Sequence, residues 1–465
     1  MPLKAFYKLR EKLSKPSAEL LCQDIWLTAP QSDLESALVK GPGRLTFRED
    51  GQIRFEVQAS LSNAQSSLLH MNHGRYGFRF GGLHLHGETY DGMEFQAWIE
   101  GVRCAHESIF NRTNVLIAGR VSCLMTRVSV PKGPAKAVAI YAHPPSVQLT
   151  TWRRTEVSHG DKTEQVRQEA AGHSFETGGT EVTVLLNREA NELEVSAKVG
   201  VGNFTHPNLE HILTEPFRAL HGAAYYPRYL LRDFGDETAQ LQILPWSKHG
   251  ASLGGACSTF GLIEPDGYWS YFGKYLDYLA VNYDPNFFAD PNKVTLFHDE
   301  VIRAVRGGSH WIISLALSSA IEGLCKMHPA WSKHPSPVSP AEKEAVEAFL
   351  QTLPSQFLKD KLNSALKGAC AEQQPQGSSV LKLLMEEGVI ESRHKKAWER
   401  FRHFVAHGNL LDHREPDSRL SVFEDLYELF QLLTANRIGF STADHPLSDG
   451  GREMLESYRG ARHAD

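Results

Sequence analysis

Residues 398–409 read WERFRHFVAHGN and are the clearest guide to how the C-terminal part of this chain folds. With the turns before them, they carry large side chains every three or four positions, at Ile390, His394, Trp398, Phe401 and Val405. This spacing is typical of an amphipathic helix with one face in a core. Gly408 stands where a left-handed residue commonly follows the last turn of a helix. The pattern therefore predicts a helix over residues 391–407.

Helical spacing extends to both sides of this segment, from residue 291 to residue 447. Residues 309–327, SHWIISLALSSAIEGLCKM, form the most apolar of the predicted helices. Other helices are predicted at 294–305, 340–353, 354–368, 380–388 and 418–436. We expect an all-α helical bundle over 291–447, followed by a flexible tail over 448–465.

The first part of the chain has a different pattern, in which apolar and polar residues alternate. Residues 45–57, LTFREDGQIRFEV, contain two such runs around an Asp-Gly turn. Repetition of this pattern predicts an antiparallel β-rich domain over 1–202, either a sandwich or a partial barrel. Residues 17–22 are expected to form a short helix, and 203–290 an aromatic-rich junction that packs on the β-rich domain. The predicted fold class is therefore α+β.

Length and composition limit the class of protein. A chain of 465 residues with 41% hydrophobic and 22% charged residues is expected to be globular, with two or three domains. A net charge of -6 provides no general positive field for nucleic acid, so RNA would need a local basic patch. The six cysteines lack CxxC spacing, and no apolar run reaches the roughly 18 residues of a membrane span. We expect a cytoplasmic protein that makes no membrane contact.

Arg402 and His407 lie beside the apolar face of the predicted helix, near its C-terminal end. There the helix dipole favours a protonated imidazole, and histidine is a common proton-transfer group near neutral pH. Arginine offers a planar fork that binds two phosphate oxygens. The spacing alone is weak evidence, because the chain has 22 histidines. A solvated arginine and a histidine that caps its own helix would explain the same residues without a function.

Residues 402–407, RHFVAH, resemble the signature of the HEPN superfamily, and more closely its ApeA-like branch of prokaryotic defence proteins. That signature is an arginine, a polar residue, three mostly apolar residues and a histidine near the end of a late helix. Residues 320–324, AIEGL, and 437–440, RIGF, are similar to two further family segments in the same order. Gly323 departs from the pattern, because a glycine within a helix costs about 1 kcal/mol relative to alanine.

The resemblance implies site residues of two kinds. Arg402 and His407 would be the catalytic pair, with Glu322 and His403 as supporting polar residues. We expect contacts with the substrate from Lys395, Lys396, Arg400 and Asn409. The implied reaction uses no metal or other cofactor: the 2′-hydroxyl of RNA attacks the adjacent phosphate and leaves a 2′,3′-cyclic phosphate.

The resemblance also implies a biological setting. The substrate would be a structured RNA such as tRNA, and the enzyme an endoribonuclease toxin of abortive-infection antiviral defence. We expect a homodimer or higher homo-oligomer through the helical domain. The β-rich half would regulate the nuclease until a phage-derived trigger arrives.

Two alternatives remain open at this stage. A HEPN-like module without catalytic activity could mediate dimerisation or RNA binding. A metal-dependent enzyme could instead be centred on His84 and His86, which point to the same side of a strand because they are two residues apart. His70 and His73 lie nearby in the sequence.

Overall fold

The computed structural model divides into two compact units, one up to Ile302 and one from Arg303 to Ser441. It describes residues 3–13, 17–28, 37, 39–61, 84–109, 112–126, 134–149, 151–155, 168–205, 208–245, 252–283, 292–307, 310–331, 339–370, 376–406 and 416–441. Several predicted features lie outside these residues, namely His70, His73, His407, Gly408, Asn409 and the tail 448–465.

The first unit is built on an antiparallel sheet that contains thirteen of the described strands. Six of them are β1 (Ala18–Thr28), β2 (Val39–Phe47), β3 (Ile53–Leu61), β4 (His84–Thr89), β5 (Glu94–Ile109) and β6 (Arg112–Thr126). Their order is β3-β2-β1-β4-β5-β6, and β3 also pairs with β6, so the six strands close into a barrel. The core of the unit includes apolar side chains of these strands and Phe6 of helix α1 (Leu3–Leu13). The predicted α+β class is confirmed, and the barrel is closed rather than partial.

The sheet continues beyond the barrel from β6 in the order β13-β12-β7-β11-β10-β9-β8. These strands are β7 (Lys136–Tyr141), β8 (Thr151–Thr155), β9 (Gln168–Thr177), β10 (Thr180–Asn187), β11 (Glu192–Lys198), β12 (Tyr229–Asp233) and β13 (Ala239–Ile243). The last two lie within the expected junction 203–290, so the sheet extends past the predicted end of the β-rich region. Their register, in which Leu231 faces Val138, makes them an integral part of the sheet.

The predicted helix over residues 17–22 is wrong, because these residues enter strand β1. The strand begins with buried and exposed side chains in strict alternation, from Ala18 through Cys22. A helix would have turned Ala18, Leu20 and Cys22 in different directions, whereas a strand turns all three towards the barrel interior and leaves Leu21 exposed. Pairing with β2 and β4 therefore outweighs the helical propensity of Glu19, Leu20 and Leu21.

The outer strands are accompanied by α2 (Leu209–Ile212), α3 (Glu215–His221), α4 (Gly255–Phe260), α5 (Pro265–Asn282) and α6 (Lys293–Arg306), the last of which ends four residues past Ile302. Of these, α2 contacts β7 and β12, and α5 contacts β9. Helix α5 buries an aromatic face that includes Trp269 and Phe272, as its sequence predicts. Phe272 contacts Phe175 of β9 edge to face, with ring centroids 5.8 Å apart. The hydroxyl of Thr177 donates to the carbonyl of Gly273 at 2.9 Å.

A buried polar network joins α3 to α6. Arg218 binds both carboxylate oxygens of Asp299, at 3.1 and 2.9 Å. The hydroxyl of Thr295 donates to the carboxylate of Glu215, and Tyr275 lies 3.0 Å from the same hydroxyl. Burial raises the pKa of Glu215 to about 7, although Arg218 opposes this shift. Because all of these groups are inaccessible to solvent, the network is structural rather than a substrate site.

All of the secondary-structure elements that the structure describes in the second unit are helices. After the last residues of α6 they are α7 (His310–Lys326), α8 (Pro340–Thr352), α9 (Gln356–Cys370), α10 (Gly377–Glu386), α11 (Ser392–Ala406) and α12 (Pro416–Ile438). Gly323 lies inside α7 without interrupting it. At the end of α12, Gly439 adopts a left-handed conformation with φ of 72°, which terminates the helix. None of the helices that the structure describes has the length and apolar content needed to cross a membrane.

Replacing Gly41 by alanine is expected to destabilise the first unit by about 1–3 kcal/mol, because the barrel leaves no space for an added carbon. A Cβ at Gly41 would lie 1.9 Å from the carbonyl oxygen of Gln58 on β3. Urea denaturation of wild type and variant measures the difference. Lys40→Ala, an exposed change on the same strand, should cost less than about 1 kcal/mol. Equal stabilities of Gly41→Ala and Lys40→Ala would contradict the close approach of β2 and β3.

Glu215→Gln should remove a pH dependence from the stability of the first unit. In the folded protein the pKa of Glu215 is about 7, above the ordinary value of 4.5. The Glu215 carboxyl therefore adds to the free energy of unfolding at low pH, and this stabilisation is lost as the pH rises through 7. Between pH 5 and pH 8, wild type should lose about 2–3 kcal/mol relative to the variant. Urea denaturation at both values tests this, and parallel pH profiles would show that Glu215 does not titrate between them.

Candidate functional site

Four of the five side chains on the predicted core face are buried. Ile390, just before α11, and His394, Trp398 and Phe401 within it are each less than 5% exposed, whereas the side chain of Val405 lies outside the described residues. Helices α7, α10 and α12 pack around α11 and on one another. Gly377, at the start of α10, allows this packing, because a Cβ there would lie 2.8 Å from the indole of Trp398. The indole thus packs closely against α10, and this contact helps to fix the orientation of α11.

Arg402 lies one residue after the buried Phe401 and emerges from the bundle, with 48% of its side chain exposed. Its guanidinium carbon lies 5.1 Å from the ring centroid of Trp398, one turn earlier on the same helix, which is a cation–π distance. The guanidinium of Arg402 therefore lies against a buried aromatic ring, while about half of the side chain remains accessible to solvent. An arginine in this position can bind an anion without first leaving a buried salt bridge.

Glu322 reaches the same place from α7. Its Oε2 lies 3.9 Å from Nη2 of Arg402, and its Oε1 lies 3.0 Å from Nζ of Lys326. Two residues that are 80 positions apart in the sequence thus meet at the surface between two helices. The local group has two cations and one carboxylate, so it keeps a net positive charge. Its ion pairs are exposed, and such pairs are worth about 0–1 kcal/mol each.

The end of α12 contacts the end of α7. Nη1 of Arg437 donates to the main-chain carbonyl of Met327 at 2.9 Å. Arg437 belongs to one of the segments that the sequence singled out, and Glu322 to another. Both segments are in contact with other parts of the bundle, one through Arg437 and Met327 and the other through Glu322 and Arg402.

The three basic residues expected to contact substrate do not share one side of α11. Lys395 is two turns before Arg402 and forms an ion pair with Glu399 at 2.7 Å. Lys396 and Arg400 are exposed, but at 100° per residue they lie about 120° and 160° around the helix from Arg402. Of the three, only Lys395 is thus on the side of Arg402, and its charge is partly neutralised.

Three predicted site residues, His403, His407 and Asn409, lie partly or wholly outside the described residues. His403 lies in α11, but its side chain lies outside the described residues. His407 and Asn409 lie outside them altogether. The geometry between Arg402 and His407 therefore remains a prediction from the sequence.

A second polar cluster, which the sequence does not predict, lies at the start of α11. Ligand atoms of His394, Asp425 and Glu428 lie within 4.8 Å of one another, which is close enough for a metal ion. However, Nδ1 of His394 accepts a hydrogen bond from the main-chain N–H of Glu391 at 3.0 Å. The neutral ring must then carry its proton on Nε2, the atom that faces Glu428 at 3.5 Å. A metal on Nε2 would have to displace that proton.

Arg393 occupies the carboxylates of the same cluster. Its guanidinium donates to Asp425, and to Glu428 at 2.9 Å. The imidazole of His394, together with Arg393, holds the pKa of Glu428 below its usual range. The cluster therefore anchors the first turn of α11 to α12. Sequence spacing offers no signal for it, because its two carboxylates follow His394 by 31 and 34 residues.

His84 and His86 lie on one side of β4, as expected for two residues that are two positions apart, with ring centroids 6.5 Å apart. His84 also contacts Trp98 of β5, at 6.3 Å between ring centroids. Within the part of the chain that the structure describes, neither histidine belongs to a group of three side chains with metal-binding spacing. The aromatic contact with Trp98 explains the position of His84 without a ligand.

Comparison with known proteins finds no family model, curated protein or solved structure that matches this chain.

The coupling free energy between Glu322 and Arg402 is expected to be at most about 1 kcal/mol, because both side chains are partly solvated. A double-mutant cycle with Glu322→Gln and Arg402→Gln, followed by urea denaturation, measures it. A coupling above about 2 kcal/mol would mean that the guanidinium is held in a structural pair and is not available to a ligand.

Proposed function

We propose that this chain is a metal-independent endoribonuclease whose catalytic pair is Arg402 and His407 near the end of α11. The imidazole takes the proton of the RNA 2′-hydroxyl or protonates the leaving 5′-oxygen. The guanidinium binds the phosphate oxygens as negative charge develops on them. The products are a 2′,3′-cyclic phosphate end and a 5′-hydroxyl end.

The observation that carries the proposal is the accessible guanidinium of Arg402 beside the buried Trp398. Burial of the preceding face of α11 restricts the backbone, so the cation is presented from a rigid element, as a phosphate-binding group requires. Glu322 lies 3.9 Å from the guanidinium and helps to orient it. Because the same carboxylate also pairs with Lys326, the group of two cations and one carboxylate keeps a net positive charge. A negative phosphate can replace this carboxylate at small cost.

The remaining parts of the proposal come from the resemblance to the HEPN superfamily. Glu322 and His403 would support the pair, and Lys395, Lys396, Arg400 and Asn409 would contact RNA. The protein would act in the cytoplasm on a structured RNA such as tRNA, as a homodimer or larger homo-oligomer. Its β-rich region would restrain the nuclease until a phage-derived trigger releases it.

Arg402→Ala and His407→Ala should each lower RNA cleavage by at least about 100-fold, because one removes charge stabilisation and the other proton transfer. Arg402→Lys should be intermediate, since lysine keeps the charge but lacks the fork. The assay follows a structured RNA with purified full-length protein in EDTA, and the new 3′ ends are tested for a cyclic phosphate. An RNA with a single 2′-deoxynucleotide at the cleavage site should remain intact.

Lys382→Ala is the matched control, because Lys382 is an exposed cation on α10 and has no part in the proposed site. Expression of the same variants in cells supplies a setting in which any trigger is present. The nuclease is supported if wild type and Lys382→Ala arrest growth and produce cyclic-phosphate RNA ends, whereas Arg402→Ala and His407→Ala do neither. Full activity of Arg402→Ala would overturn it, and equal growth of all variants with intact RNA would favour the silent module.

A further inference from the structure

Helices α8 and α9 form an antiparallel hairpin joined by residues 353–355. The hairpin starts with a complete capping box, in which Ser339 accepts from the main-chain N–H of Glu342 and the Glu342 carboxylate accepts from that of Ser339. Leu350 and Leu366 are buried, at 5% and 8% exposure. Among the side chains of α8 and α9 that the structure describes, these two leucines are the only large apolar ones that are buried.

The same hairpin exposes an unusual amount of apolar surface. Its exposed large side chains include Phe349 at 59% and Phe357 at 68%, with Val346, Leu358 and Leu362 also exposed. Isolated apolar residues on a surface are ordinary, but a cluster of this size marks an interaction surface. A helix of this length gains most of its stability by burying such a face.

Four of these side chains lie on one face of the hairpin. At 100° per residue, Val346 and Phe349 of α8 are turned about 40° and 100° to one side of the buried Leu350. Leu358 and Leu362 of α9 are turned by about 80° and 40° in the same rotational sense from Leu366. With the two buried leucines facing each other across the hairpin, equal senses of rotation in antiparallel helices lead to the same face. We call Val346, Phe349, Leu358 and Leu362 the hairpin face.

The two helices carry opposite charges. In α8, three glutamates and one lysine give a net charge of -2. In α9, three lysines and one aspartate give a net charge of +2. A surface of this kind is self-complementary: a second copy rotated by a two-fold axis parallel to the helices puts its α9 over α8 and its α8 over α9. Every neighbouring pair of helices is then antiparallel and opposite in charge.

We infer that the hairpin face is a homodimer interface, in which two hairpins from two copies of this chain form a four-helix bundle. Rotation about an axis across the helices would instead stack α8 on α8 and α9 on α9, with like charges together, so charge selects the first arrangement. The inference deepens the homo-oligomer of the proposed function by assigning its interface, but it does not rest on the nuclease activity, since the hairpin lacks all of the proposed catalytic residues.

The first test is the mass of the full-length protein by sedimentation equilibrium over a range of concentrations. Wild type should show a dimer, and Phe349→Ser with Leu362→Ser should raise the dissociation constant at least about 30-fold. Ile312→Ser with Leu315→Ser is the matched control, because these side chains are similarly exposed on α7. It should dimerise like wild type. Phe349→Leu with Leu362→Met keeps the face apolar and should also dimerise, even if the serine variant has lost helix content.

A monomeric wild type at all concentrations overturns the inference. So does a serine variant of the hairpin that still dimerises, or an equal loss in the α7 control. Arg402→Ala should leave the dissociation constant unchanged while it affects cleavage, so failure of this inference and failure of the nuclease proposal are distinguishable.

The second test distinguishes the two arrangements. A mixture of Phe349→Cys and Leu362→Cys proteins should form disulfide-linked mixed dimers on mild oxidation faster than either protein alone. This is expected because α8 of one copy lies over α9 of the other. Faster formation of the Phe349→Cys homodimer would show that like helices are paired, and the charge argument would then be wrong.

Discussion

Burial of one face of α11 is the constraint from which the candidate site follows. Trp398 and Phe401 have to face the bundle, and Gly377 brings α10 into contact with the indole. With that face buried, the rotation of 100° per residue along the helix puts Arg402 beside it at the surface. The exposed cation is thus a consequence of packing, and the stability of the packed face maintains it. In α11, the buried side chains thus stabilise the bundle, whereas the exposed Arg402 is the residue available to a ligand.

The first unit depends on a comparable constraint, which acts on strands instead. The barrel closes because β6 pairs with both β5 and β3, and apolar side chains at alternate positions then fill its interior. The closure explains why residues 17–22 are a strand, although their composition suits a helix. The alternation of these residues was present in the sequence, but of the two strands that pair with β1, only β2 follows closely, and β4 lies more than 50 residues further along the chain. Local propensity is a weak guide wherever such pairing is available.

Within the site, the sequence predicted correctly which side chains are buried, because burial follows the helical repeat of apolar residues. It did not predict the contacts between residues that are distant along the chain. The buried stripe that includes His394 follows from spacing alone, because a helix repeats every 3.6 residues. The contacts of that imidazole with Glu391 and Glu428 do not follow, and they argue against the metal ion that its residue types would permit. Likewise, Lys396 and Arg400 look like neighbours of Arg402 in the sequence, yet the turn of the helix separates them.

The sequence by itself determined the α+β class, the helical character of the second unit and the direction that the apolar side of α11 faces. The periodic spacing of apolar residues is a local property, so it can be recognised in the sequence without knowledge of the fold. Only the tertiary structure decided that the strands close into a barrel, that Glu322 meets Arg402 across two helices, and that an apolar face of the α8–α9 hairpin remains uncovered. Each of these depends on which distant segments become neighbours, and that choice is made by the packing energy of the whole unit.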